Sequence, residues 1–413
     1  MSGARSMMAR LPAILLCLAS LLASPRAHGG WSRHQNGTNE ERGFPGVAAG
    51  DAAHAFVAGI IDMMGQDKAV VYWTSDGGGS WAMATPDSRQ LAMFLSAFAP
   101  SPSRCYIGSL ARVFVTADGG LSWTESQHPN FIPLKPVSGL GGFGENFVVA
   151  VAGSEVFISH DGAASWTPMA TPLGDVSLSS VFFVNATHGW VGSGIAQYNE
   201  DTGELTGYEG GGLIGTTDGA VTWNTLKAAE AKAYGKPSFI NPLEGWITSN
   251  NMRSPQLERT TDGGVTWDVM PLPVFTEGTL DTLSQVFFFD RCEGFLLGSD
   301  SSSRKTALFY TTDGGLTWTQ QDTSWAKVEY PPEFPFPFPV YSNLYAMDFA
   351  GREAGWIAGS YEFIGGYTAD GPGPECGGNV DPDTGAWEPI ADAGTDGTWR
   401  TENDTGCGCG IVR

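Results

Sequence analysis

Thr311-Thr312-Asp313-Gly314-Gly315-Leu316-Thr317-Trp318 is an octapeptide pattern that returns along the whole chain. Its other copies are TSDGGGSW from Thr74 to Trp81, TADGGLSW from Thr116 to Trp123, SHDGAASW from Ser159 to Trp166, TTDGAVTW from Thr216 to Trp223 and TTDGGVTW from Thr260 to Trp267. The aspartates Asp76, Asp118, Asp161, Asp218, Asp262 and Asp313 are spaced by 42, 43, 57, 44 and 51 residues. Such a period matches one four-stranded propeller blade. In each box the hydroxyl and carboxylate can close a tight turn on nearby backbone, and glycine supplies positive φ. The final Trp81, Trp123, Trp166, Trp223, Trp267 or Trp318 brings a large ring to bury between sheets. Ala163 and Ala220 stand where other boxes have their second glycine, so negative φ is expected there.

A second signal runs in phase. Short aromatic or apolar strands precede the boxes at Phe56–Gly59, Tyr106–Gly108, Phe147–Val149, Gly189–Gly192, Gly245–Ile247 and Gly294–Gly298, and a seventh stands at Gly355–Gly359. The seventh is followed by Tyr367-Thr368-Ala369-Asp370-Gly371, a box that decays into Pro372. Seven blades are therefore expected in an all-β, four-stranded antiparallel arrangement. In the sixth unit Val286–Phe289 reads as the inner strand, Gly294–Gly298 as the second, Ala307–Tyr310 as the third, and Thr317–Thr319 as the start of the fourth. Six repeated aspartates imply a repeated structural task, not six active sites.

These motifs resemble the Asp-box, or bacterial neuraminidase repeat. A box preceded by a Gly-Trp-x-x-Gly strand is similar to the photosystem II assembly and stability factor propellers. The resemblance spans roughly residues 44 to 371 and implies a fold; sialidases, xyloglucanases, sortilin-type receptors and assembly factors share the box, so it does not imply an activity. It also implies a division of faces. Boxes and one-to-two loops occupy one face, and two-to-three loops and blade-to-blade connections the other. The insertions Ile195–Gly212, Gln127–Leu140 and Ala326–Tyr341 all fall on the face opposite the boxes, where binding is expected.

Candidate binding residues on those insertions are Tyr198, Tyr208, Glu209, Phe334, Phe336, Phe338 and Tyr341. The Phe-Pro alternation of residues 334–339 favours an extended display of rings, either as a lip for a ligand or as packing across the channel mouth. A sialidase-type hydrolase is the alternative function. It would use Arg112, Arg253 and Arg304 to grip a substrate carboxylate, beside a Tyr–Glu pair and an acid. The Phe/Tyr-Arg-Ile-Pro signature of sialidases is absent, and a xyloglucanase would need a second propeller. The preferred reading is a non-catalytic binding or assembly scaffold for a protein or glycan ligand.

Arg5, Arg10 and the apolar run Leu11–Ala23, followed by Ala27-His28-Gly29, form a secretory signal pattern over residues 1–29. Residues 30–390 are the expected propeller and 391–413 a Cys/Gly-containing tail. No later stretch is long and apolar enough for a membrane span. Removal of the leader takes the formal charge from −22 to −25, which disfavours nucleic acid and anionic membranes. A secreted, extracellular or periplasmic location follows as the expectation, and with it a disulfide between Cys376 and Cys407 or Cys409. Cys105 and Cys292 belong to distant blades. No cofactor or metal is expected. Asp381-Pro382-Asp383-Thr384-Gly385 is similar to half a calcium loop but lacks the terminal Glu, and an ordinary turn before Trp387 is preferred.

Overall fold

The computed structural model describes residues 29–35, 43–62, 67–87, 93–110, 112–126, 135–199, 205–252, 254–300, 302–303, 305–326, 343–360 and 363–369. Seven antiparallel sheets surround a central channel. Blade one comprises Gly46–Ala49, Ala55–Asp62, Asp67–Thr74 and Ala82–Ala84. Blades two to six repeat that order, each counted from its innermost strand: Phe94–Phe98, Val137–Phe143, Leu178–Phe183, Ala233–Tyr234 continuing at Ser238–Phe239, and Thr282–Phe288. Lys227 lies in the strand Asn224–Glu230, and the described residues hold one short 3-10 turn, Ser324–Ala326.

Blade seven is assembled from both ends of the described chain. Leu344–Phe349, Ala354–Gly359 and Ile364–Ala369 supply its first three strands. Gly29–Gln35 supplies the outer fourth, pairing antiparallel with Gly29 opposite Ala369 and Trp31 opposite Tyr367. The residues after Ala369, with the rest of the decayed seventh box, lie outside the described residues. The 3-10 turn holds the closing strand down. Trp325 stacks on Trp31 at 5.6 Å, and Arg33 donates from Nε and Nη2 to the Trp325 carbonyl at 3.0 and 2.8 Å.

The boxes sit between third and fourth strands, and their bonding repeats atom for atom. In blade four, Thr216 Oγ1 donates to Asp218 Oδ1 at 2.8 Å. The Thr222 amide and hydroxyl donate to the two Asp218 oxygens at 2.9 and 2.6 Å, and the Ala220 amide donates to Thr216 Oγ1 at 3.0 Å. The Gly219 amide reaches the Thr187 carbonyl of the one-to-two loop at 2.9 Å, fixing the box beside that loop. Each aspartate is thus fully occupied by its own turn, as the repetition of the motif implies.

One expectation about these turns is corrected. Ala163 and Ala220 adopt φ of +69° and +68°, not negative values. The Thr or Ser hydroxyl takes the amide at this position in every box, and that bond dictates the left-handed backbone whatever the side chain. The strain of about 1–2 kcal/mol for a non-glycine residue is partly offset by burial of the methyl, about 0.8 kcal/mol. Ala163 shares a buried cluster with Val115, and Ala220 with Ile158. At the same register in blade one stands Trp73, and a Cβ on Gly120 would lie only 2.7 Å from its ring. The Trp73 ring of the preceding blade therefore excludes a methyl at Gly120, where smaller neighbours accept one at Ala163 and Ala220.

Aromatic stacking joins the blades. Trp190 of blade four stacks on Phe239 of blade five at 3.4 Å, and Trp267 meets that same Phe edge-on. Trp246, Phe288 and Trp318 repeat this trio one blade further on. Trp190 and Trp246 also donate their indole N–H to Gly263 and Gly314 carbonyls in the next blade's box.

Two outcomes follow. Trp31→Ala should lower unfolding free energy by about 3 kcal/mol, read from urea midpoints; a variant as stable as the parent would show that the first strand does not hold the ring. The hydroxyl and amide donors of Ser80, Ser165 and Thr222, followed by those of Thr74, Ser159 and Thr216, lower the carboxyls of Asp76, Asp161 and Asp218 to about 2. Their stabilising contribution is complete above the unfolded value near 4 and is lost as pH falls toward 2. Asp218→Asn should accordingly reduce the proton uptake on acid unfolding by about one proton.

Candidate functional site: the channel mouth opposite the boxes

Three successive residues of nearly every innermost strand line a channel of about 260 Å³. A bulge recurs at this level in five blades, displacing the register around Leu95, Ser138, Ser179, Ser284 and Tyr345. Bulges re-aim a residue without ending the strand. All five bulged residues line the channel, together with Pro45 of blade one and Gly235 of blade five.

The hydroxyls at this level are engaged sideways, in stitching blades together. Ser96 donates to the Val137 carbonyl at 2.8 Å and Ser138 to that of Leu178 at 2.7 Å. Ser179 and Ser180 donate to Tyr234 and Gly235. Asn250 exchanges two bonds of 2.8 Å with Leu283, and Gln285 brackets Met347 in the same way. At the junction of blades seven and one the stitch is a carboxylate: Asp348 Oδ2 accepts the Ala49 amide at 2.9 Å. Burial raises the Asp348 carboxyl above its ordinary range, opposed by the charge of Lys236 across the channel and by the Ala49 and Phe349 amides. Lys236 is the one charged residue lining the channel among those described.

The blade-four insertion forms a hairpin, Ile195–Tyr198 with Leu205–Glu209. Ser193 Oγ closes its base, donating to Gly210 O at 2.7 Å and accepting from Gly212 N at 2.8 Å. Tyr208 is half-buried and shares a hydrogen bond with Thr282 at the start of blade six, close to Tyr198 and Asp281. Tyr198 and Glu209 are exposed. These three candidates therefore stand together beside the channel mouth. Arg112 is paired with Glu125 on its own blade's outer strand. Arg253, Arg304, Phe334, Phe336, Phe338 and Tyr341 lie outside the described residues, as do Cys376, Cys407, Cys409 and the half calcium loop. Cys105 is a buried free thiol, and Cys292 is disulfide-bonded. Among the described residues no group of His, Cys, Asp and Glu is arranged to hold a metal, and no helix is long and apolar enough to cross a membrane.

Exposed apolar side chains occur on both faces, among them Phe143 and Leu243 at the one-to-two loops of the box face and Val274 on a connection of the opposite face. On the box face Leu121, Val221, Val265 and Leu316 are each one copy of the same box position, so the blade repeat spreads them round the rim as single residues. On the opposite face Tyr198 is 60% exposed, Met252 50%, Tyr345 42% and Met93 38%. All four stand on its connections or at the inner ends of its strands. Lys236 and Asp348 escaped sequence reading because nothing marks them locally; a register alignment of the seven inner strands would have singled them out as the only charges at their positions.

A family model described as BNR/Asp-box repeat matches residues 309–320. No curated protein sequence matches the chain. Among solved structures, YCF48 from Cyanidioschyzon merolae is 15% identical with a TM-score of 0.57, covering 83% of this chain and 99% of its own. YCF48 bound to D1 peptide gives the same identity and score, with 84% and 99% covered. The GH74 xyloglucanase from Xanthomonas campestris is 12% identical with a TM-score of 0.56, and this chain spans 53% of it. The chain is a seven-bladed β-propeller whose sixth box matches the BNR/Asp-box repeat model. Its fold is similar to that of the YCF48 propellers.

Asp348→Asn tests the carboxylate seam. A raised folded pKa means that the charged form is disfavoured in the native state, so the parent gains stability as pH falls from neutrality toward about 4. The Asn variant retains an acceptor for Ala49 and does not titrate. It should be at least as stable as the parent at pH 7, with the difference changing in the parent's favour as pH falls toward 4, as read from urea midpoints.

Proposed function

We propose that this protein is a secreted or periplasmic, non-catalytic scaffold that holds a segment of a partner protein against the face opposite the boxes. The observation that carries this reading is the gathering of Tyr198, Tyr208, Met252 and Tyr345 around a channel mouth whose hydroxyls are already used in joining blades. Exposed aromatic and methionine side chains suit a protein surface better than a buried reacting centre. The solved complex of YCF48 with D1 peptide supports a peptide as the class of ligand on such a fold. The bonded state of Cys292 supports an oxidising compartment. Cleavage after Gly29 would leave Gly30–Gln35 in place to complete blade seven. A glycan ligand with sialidase-type chemistry has less behind it: Arg112 is held by Glu125.

The test is photocrosslinking in the native host, with benzoylphenylalanine placed at Tyr198, at Tyr345 or at Leu121 of the box face. Discrete protein adducts from the first two positions and none from Leu121 are expected. Adducts from Leu121 alone, or release of sialic acid from a fluorogenic sialoside, would overturn the reading.

A further inference from the structure

One position in the layer of inter-blade bonds takes no part in the bonding. Ser96, Ser180 and Gln285 reach sideways from it to the next blade. Lys236 has the same register in blade five. There the bond to blade six is made instead by Asn250 of the second strand, which exchanges with Leu283. Among the described residues the Lys236 ammonium makes no hydrogen bond and no ion pair. The Ser284 hydroxyl of blade six is likewise unbonded among them, unlike those of Ser138 and Ser179 at its own level. The two residues belong to adjacent walls: the Ser284 carbonyl lies 3.5 Å from where a Cβ on Gly235 would stand.

Both residues line the channel. The charge of Lys236 acts on Asp348 at the seam of blades seven and one, so its ammonium is directed across the lumen and not out over the rim. No ion pair joins the two. Nor are the two charges equally available. Asp348 Oδ2 accepts the Ala49 amide at 2.9 Å, and the Phe349 amide also bonds that carboxyl, so its oxygens serve the wall. Lys236 has three donors, none of them used by the wall. An ammonium held in a narrow lumen is best satisfied by an oxygen of opposite charge. In a chain of formal charge −22, a cation so placed and excused from joining blades calls for a partner from outside.

We infer that Lys236 and Ser284 form a receptor for one carboxylate carried by the partner segment, seated just inside the channel mouth. The ammonium supplies a charge-assisted bond and the hydroxyl a second donor. Lys236 stands one residue step, about 3 Å, below the level of Leu95 and Tyr345. An Asp or Glu side chain, or the end of a chain, therefore reaches it while the rest of the segment stays on the face with Tyr198 and Met252. The inference rests on the assignment of this face as the binding face, and names the group that the ligand presents to the channel.

The probes are N-acetylated six-residue peptides of Gly and Ala, titrated into the full chain by isothermal calorimetry. One has a free C-terminal carboxylate, one is C-amidated with a single internal Glu, and the control is C-amidated without Glu. The variants are Lys236→Met, Lys236→Arg, Ser284→Ala and Asp348→Asn, with folding checked by thermal unfolding. An acidic peptide should bind, and the one that binds more tightly tells a chain end from a side chain. The control peptide, and Lys236→Met with either acidic peptide, should each bind about tenfold more weakly. Lys236→Arg should retain binding and Ser284→Ala lose less than Lys236→Met. Asp348→Asn, which keeps an acceptor for Ala49, should bind at least as tightly as the parent. No binding, equal binding of the control, or undiminished binding by Lys236→Met would overturn the inference. So would binding kept in Lys236→Met and lost in Asp348→Asn, which would mark a cationic ligand. Should Lys236→Met bind the peptides unchanged while crosslinks from Tyr198 and Tyr345 persist, the channel inference falls and the scaffold reading stands. Loss of adducts from both face positions in the parent chain removes the scaffold reading itself.

Discussion

The pairing of Gly29–Gln35 with Ile364–Ala369 is the constraint on which the ring depends. Each of the other six blade junctions joins blades that are neighbours in the chain, which limits the entropy of bringing them together. Blade seven instead pairs Gly29–Gln35 with Ile364–Ala369, strands more than three hundred residues apart in the chain. It is made differently from the others. Neutral Ser, Asn and Gln side chains stitch blades two to seven, whereas the closing region uses the Asp348 carboxylate and the Arg33 guanidinium. The Arg33 guanidinium gives charge-assisted bonds to the Trp325 carbonyl, whereas burial disfavours the charge of Asp348, whose contribution is an acceptor for the Ala49 amide.

The blade count and the structural role of the boxes were legible because both are periodic. A turn that needs a hydroxyl, a carboxylate and left-handed backbone within five residues leaves a dense local signature, written six times. The aromatic second strands are legible for a related reason: Trp190 and Trp246 need a glycine before them, since a Cβ at Gly189 or Gly245 would strike the ring of Phe183 or Phe239. The closing strand was not legible. Gly29–Gln35 carries no box and obtains its partners from residues near 325 and 367, so its only local sign is Trp31. The φ of Ala163 and Ala220 was misread because residue identity was taken as the cause of the backbone. The hydroxyl–amide bond sets it, and the preceding blade then decides whether a methyl fits.

The candidate site was legible only in outline. Insertions betray their face because loop length is visible in the spacing of the boxes, and that spacing is what makes Tyr198, Tyr208 and Glu209 candidates. The channel was not, because its character arises from register. Ser96, Ser138, Ser180 and Gln285 look like ordinary strand residues until the inner strands are superposed; they then become one layer of inter-blade bonds, with Lys236 as the exception in it. A conclusion about polarity drawn from their composition alone would have been wrong in kind. These side chains bond sideways to the neighbouring blade and hold the wall.

That division assigns labour to the two faces. On the box face, acids and bases from adjacent blades are spent on each other: Arg104 with Glu145, Arg291 with Glu244, Arg352 with Glu293. These pairs link one-to-two loops around the ring and make that face part of the scaffold. The opposite face has bases held by acids within blade five and at the edge of blade six. Its hairpin is bonded at its base through Ser193 and lies against the Met252 thioether of blade five, so the exposed side chains of Tyr198 and Glu209 are carried on a fixed element and not on a free loop.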